Sequence, residues 1–260
     1  MVTPDDYQAL ARLLTTGRLI QELHNALPDD PVDLAPDGSD LAALMAAVPE
    51  PPIDPRLSIS AALDSAGGCL LQVIDMIERG IPTTPVVLMS LARTALLGAS
   101  RVVFVLGPEE AAERQRNLLV TLRQESNSLM RLYAVAENFQ HLEGLVPRQE
   151  VLSSQRGRAE TLKQVAPSLG EASALERMAE VTGQLLAARD DVGPNLAAQL
   201  REHVAWTFNV YSGVAHGFGW PRLVPGTRSF PGHFLVELSL ISSVTHLAFD
   251  LVARRSSPSL

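Results

Sequence analysis

Arg93 is the first residue whose setting asks for chemistry. It sits in an apolar run, with Leu91, Leu96 and Leu97 around it. A guanidinium keeps its proton, so in such surroundings it must meet an acid, backbone carbonyls or a bound anion. Glu237, in an equally apolar stretch, is one prospective partner. A ligand anion is the second possibility, and snorkelling of the long side chain to the surface is the third. The second constellation runs from Phe208 to Trp220 as Phe-Asn-Val-Tyr-Ser-Gly-Val-Ala-His-Gly-Phe-Gly-Trp. Glu202, Asn209 and His216 recur at seven-residue spacing, with Ser212 one turn before His216. On a helix turning about 100° per residue they share one stripe. Carboxylate, amide, hydroxyl and imidazole therefore stack along a line, away from the side carrying Val204, Phe208 and Tyr211. A solvated face would give the same pattern. The ending favours use: glycines permit positive φ and close backbone approach, and Trp220 offers a stacking face.

Three readings follow. In the first, the chain is a binding or regulatory module, with Arg93, Asn209, Ser212, His216 and Glu202 lining a groove closed by Trp220. The ligand is small and anionic or nucleotide-like. Arg93 gives fixed charge, Asn209 and Ser212 hydrogen bonds, and His216 a pH-sensitive donor. In the second, His216 is the catalytic general base of a nuclease or hydrolase, assisted by Glu202 or Ser212. In the third, the same groups satisfy one another inside a structural homodimer or partner-binding bundle. Whether the protein is an enzyme stays open at this point.

Other chemistries have weaker support. Glu137 with His141, and His246 with Asp250, are four apart and each pair could chelate. Neither belongs to a Glu-x-x-His or His-Glu-x-x-His pattern, so each reads as a helix-surface contact and no metal or other cofactor is expected. Ser212 lacks the Gly-x-Ser-x-Gly elbow of a hydrolase nucleophile. Twenty of the 21 basic residues are Arg, and the only Lys, Lys163, follows no glycine loop, which removes a P-loop. The single cysteine, Cys69, lies among small and apolar neighbours and reads as a buried, inert thiol.

These residues must be held by helices. Apolar periodicity predicts a first helix from Thr3-Pro4-Asp5-Asp6 to about Leu27, then a Pro-rich connection holding seven of the 18 prolines. A short Ser39-capped helix over 40–48 interrupts it. Further helices are predicted over 57–79, 84–106, 108–142, 149–166, 171–190, 195–216 and 232–254, divided by Gly- and Pro-containing breaks. The fold expected is all-α: a multi-helix bundle of eight to nine helices in all, with residues 1–56 as an N-terminal helix and Pro-rich connecting arm and 57–260 as the helical-bundle domain. The segments 84–106 and 232–254 are apolar all round and should be central. The segment 108–142 is amphipathic and could supply a spine or a dimer face, its Arg114, Arg116, Arg123 and Arg131 interleaved with acids as a solvated face.

The formal charge of −8 argues against a protein that grips nucleic acid through its bulk field. One cysteine requires no oxidising compartment, and the acidic N-terminus does not read as a secretory signal. The run 81–106 is long enough for a membrane span, but Arg93 and Arg101 interrupt it at a cost in lipid. The expectation is a soluble cytoplasmic protein with no membrane partner, a small anionic ligand, and homo-oligomerisation as an option.

Two segments carry a resemblance. Arg93-Thr-Ala-Leu-Leu-Gly-Ala-Ser-Arg-Val-Val-Phe-Val-Leu-Gly-Pro, with the following Glu113-Arg-Gln-Arg116, is one; Ser212-Gly-Val-Ala-His-Gly-x-x-Trp is the other. Together, over about 84–220, they resemble a large family of functionally uncharacterised helical proteins common in actinobacteria, and the near-exclusive use of Arg suits a GC-rich source. In that family an acid often follows the Arg by four residues; Leu97 stands there in this chain. More distantly, the last helices resemble HEPN-type domains, some of which are ribonucleases with an Arg ahead of a His. Asn209 holds the corresponding place before His216. An amide lacks the fixed charge that would steady a phosphorane-like transition state. The resemblance implies a grouping and leaves the activity open.

Overall fold

The computed structural model describes residues 4–139, 141, 147–169, 171–189, 194–223 and 232–258. Among them are nine α-helices and no strand. They are α1 (Pro4–Asn25), α2 (Asp40–Ala46), α3 (Pro55–Glu78), α4 (Pro85–Leu106), α5 (Ala111–Ala136), α6 (Gln149–Val165), α7 (Glu171–Arg189), α8 (Pro194–Ala215) and α9 (Gly232–Ser256). Short 3-10 turns lie at Pro31–Leu34 and Trp220–Leu223. The all-α bundle is as the periodicity requires.

Helix starts follow from local chemistry. Four helices open on proline (Pro4, Pro55, Pro85 and Pro194), whose missing N–H costs nothing where no intrahelical acceptor exists. Asp54 and Thr84 precede two of them and accept from Arg56 N and Val87 N. Ser39 caps α2 through Ala42 N, as its hydroxyl predicts. Thr3, where the first helix was expected to start, lies outside the described residues. α5 ends at Ala136, earlier than predicted, where the Asn138 side-chain amide donates to the Ala134 carbonyl at 3.0 Å and closes the helix end.

α4 is the axis of the molecule. It packs against α3, α5, α7, α8 and α9, and the run Val102 to Leu106 is buried on every side. α1 lies in the angle between α3 and α9, with Leu13 and Ile20 in the same apolar cluster as Leu70, Leu96 and Val244. One core therefore runs from the N-terminal segment through the bundle.

Two expectations need correction. The cytoplasmic assignment does not stand: among the described residues three helices, Pro55–Glu78, Pro85–Leu106 and Phe234–Ser256, are long and apolar enough to cross a membrane. The sequence reading treated each arginine of α4 as a charge offered to lipid. Arg93 instead covers an aromatic ring and Arg101 approaches Glu125, so neither disqualifies the helix. The arginines of α5 are also not one solvated face. Arg114 is buried, donates to the Pro108 carbonyl at 2.9 Å and to that of Glu109, and stands 3.7 Å from Asp40. Arg123 donates to the carbonyls of Ala166 and Lys163. Arg116 and Arg131 do face solvent.

Candidate functional site

Arg93 sits on α4 where that helix meets α8. Its guanidinium carbon lies 5.1 Å from the centroid of the Phe208 ring, a cation–π contact. Its Nε is buried without a hydrogen-bond partner. Among the described residues no carboxylate comes within ion-pairing distance of it. The pairing with Glu237 that the sequence suggested is replaced by another: Tyr211, fully buried on α8, donates its hydroxyl to Oε2 of Glu237 on α9. Burial first, and the neighbouring carboxylate second, hold the Tyr211 phenol far above its ordinary range. Sequence reading placed Tyr211 only among apolar residues. The signal for it was an acid in the middle of an apolar helix, which needs a donor but does not say which.

Phe208 is shared between Arg93 and a cavity of about 130 Å³ enclosed by α4, α7 and α8. Leu96, Leu97 and Ser100 line it from α4, Met178 from α7, and Phe208 and Asn209 from α8. Arg93, Leu97 and Ser100 follow at spacings of four and three, one face of α4. The Ser100 hydroxyl is buried without a partner. The cavity therefore has mostly apolar walls, an unmatched hydroxyl and the exposed carboxylate of Glu176, and Arg93 reaches it only through the Phe208 ring that both share.

The stripe on α8 is partly dispersed. Glu202, Asn209 and His216 are exposed, as a solvated face would be, and Ser212 is half-buried. The Asn209 amide donates to the Ala205 carbonyl of its own helix at 2.8 Å. His216 opens the turn that follows α8, its ring 5.6 Å from that of Phe218, and among the described residues no hydrogen bond reaches its imidazole. It stands eight residues beyond Phe208, about 12 Å along the helix axis. The structure thus brings Arg93 to Phe208, the neighbour of Asn209 in the chain, and leaves His216 and Trp220 at the far end of α8.

That end has its own explanation. Gly217 has φ +69, and the turn is closed by Phe218 N donating to Gly213 O at 2.9 Å and Gly217 N to Val214 O at 3.0 Å. This is the left-handed glycine stop of a helix. Trp220 folds back over Gly213, where a Cβ would lie 2.5 Å from its ring. Both glycines of Ser-Gly-Val-Ala-His-Gly-x-x-Trp are needed to stop α8 and seat Trp220 against it.

The two His–acid pairs are placed differently. Glu137 caps the end of α5 and pairs with Arg156 at 2.5 Å, while His141 lies beyond that helix, so the two do not share a face. His246 and Asp250 form a surface pair 3.8 Å apart. Among the described residues no group of three His, Cys, Asp or Glu side chains could hold an ion.

Compared with known proteins, the chain matches no family model, no curated protein and no solved structure. The likeness to actinobacterial helical proteins and to HEPN domains rests on the quoted motifs alone.

Proposed function

We propose that this chain is a binding module for a small organic anion, held between α4 and α8. Arg93 supplies the charge. The supporting observation is its guanidinium, laid on Phe208 without a carboxylate partner among the described residues, beside a cavity that Phe208 also lines. A cavity near 150 Å³ accepts one benzene ring, so about 130 Å³ suits a single small ring or branched aliphatic group. The ligand class is then a compact monocarboxylate, its apolar body against Leu96, Leu97 and Met178 and its charge toward Arg93. Asn209 adds an amide at the rim, and Ser100 a hydroxyl within.

Ser212, His216 and Trp220 join this site only for a ligand long enough to run along α8, the nucleotide-like case. Calorimetric titration separates the two. Benzoate should bind wild type and lose at least about tenfold in affinity in Arg93→Gln, a charged hydrogen bond contributing roughly 1.5–3 kcal/mol. Benzamide, of the same shape without the charge, should bind no better than the variant binds benzoate. Adenosine monophosphate bound with dependence on both Arg93 and Trp220 would favour the longer ligand. Equal benzoate affinity in wild type and Arg93→Gln would remove the proposal.

A further inference from the structure

The groove between α3, α4 and α5 carries a second set of unmet hydrogen-bonding groups. It holds about 810 Å³, a volume in the range of small-molecule sites. Its floor is the crossing of α3 and α4. There Gly98 comes so close that a Cβ would stand 2.4 Å from the Ala62 carbonyl oxygen. At one end Ser58 donates to Oε1 of Glu125 at 2.9 Å, and Nη1 of Arg101 lies 3.9 Å from the same oxygen. Glu125 does not exhaust the donors around it. The Nε of Arg101 is buried without an acceptor, and so is the side-chain nitrogen of Gln124; both residues line the groove.

Both orphan atoms are donors, so a carboxylate oxygen answers them and an ammonium does not. With Arg101 and Arg131 against Glu125, the charged lining is one positive charge in excess. Beyond this end Leu129 and Leu132 on α5, with Leu57 and Leu97 opposite, form an apolar strip beside the polar Asn127, Ser128 and Arg131 of the same helix. Leu57 and Leu132 are 51% and 57% exposed, a large apolar area left to water. From Gln124 to Leu132 the groove follows α5 for about 12 Å at the helical rise. One acceptor-seeking end and one apolar run describe an amphiphile with a single acidic head.

We infer that this groove binds a medium-chain monocarboxylate, its head at Arg101 and Gln124 and its alkyl tail along Leu97, Leu129 and Leu132. The groove shares Leu97 with the α4–α8 cavity, but its acceptor-seeking end at Arg101 and Gln124 is not part of that cavity, and the inference does not rest on it. Sequence reading saw Arg101 only as an interruption of α4. A second arginine in one apolar helix was the available signal.

Calorimetry on the full chain with octanoate and decanoate tests the assignment. Binding should be saturable with one site, and tighten about fourfold per methylene buried, hence about fifteenfold between the two acids. Decylamine should not compete. Gln124→Leu should weaken decanoate about tenfold while leaving the melting temperature unchanged or higher, since it removes a buried, unpaired amide. Leu132→Asn, at an exposed position, should weaken it severalfold without touching the head. Non-saturable uptake, equal affinity for decylamine, or decanoate binding that responds to Arg93→Gln but not to Gln124→Leu would each overturn the inference.

Discussion

At the residue scale, half-buried Arg93 and fully buried Tyr211 are satisfied in different ways. Arg93 contacts a ring, whereas an ion pair with Glu237 was one of three arrangements open to it, and the two differ in what a substitution costs. A cation–π contact contributes about 0.5–1 kcal/mol, so Arg93→Met should unfold within about 1 kcal/mol of wild type in urea. A loss of roughly 3–5 kcal/mol would mean that a buried pair had been broken. Tyr211 gives the second prediction. Its native phenol keeps its proton far above pH 10, whereas in the unfolded chain it ionises near 10. Above that pH the unfolded state binds fewer protons than the native state, so stability is intact below pH 10 and falls as pH rises. The slope should approach about 1.4 kcal/mol per pH unit for this residue. Tyr211→Phe should flatten the alkaline limb by that amount, and parallel limbs in the two proteins would contradict the buried Tyr211–Glu237 bond.

At the element scale, helices were legible and their contacts were not. Apolar periodicity and the Gly and Pro breaks locate the nine helices seen among the described residues, because both are local properties of the chain. Ends were missed where the deciding partner was a side chain several residues off, as with Asn138 at the end of α5. Pro55 was read as linker although it opens α3, because one proline can punctuate or initiate. Helix crossings require knowledge of neighbours. Gly98 and Gly68 look alike in sequence, yet only Gly98 meets another backbone; a Cβ at Gly68 meets nothing within 4 Å. Gly98→Ala should therefore destabilise by about 1–3 kcal/mol through overpacking. Gly68→Ala, in the interior of α3, should stabilise by about 0.5–1 kcal/mol. Thermal or urea unfolding of the pair checks both signs, and destabilisation by both would contradict the open space at Gly68.

At the scale of the molecule, a charged knot ties the N-terminal segment to the rest. Asp40, just after the cap of α2, lies 2.9 Å from Arg255 near the end of α9 and 3.7 Å from Arg114 on α5. Those two guanidiniums are largely buried and Asp40 is part-exposed, so Asp40→Ala should cost about 2 kcal/mol, read as a lower urea midpoint with an unchanged slope. An effect below about 0.5 kcal/mol would mean that α2 is not fastened through this pair. Of the proposed site, the sequence singled out Arg93 and Asn209 and could not disclose Phe208, which meets Arg93 and lines the cavity beside Asn209, since that is a contact between α4 and α8. It likewise made the glycines of the α8 terminus look like ligand chemistry, when their first task is to stop a helix and seat Trp220. Apolar length in α3, α4 and α9 was also underweighted, because charge in a helix was judged without knowing which neighbour it faced.

The central claim is that the Arg93 guanidinium is free to meet an anion beside the α4–α8 cavity. Crystals grown with an iodinated benzoate test it most directly. The account predicts an anomalous peak among Leu96, Met178 and Phe208 with the carboxylate on Arg93. A cavity without the iodine, or Arg93 found bonded to a carboxylate of its own chain, would contradict it.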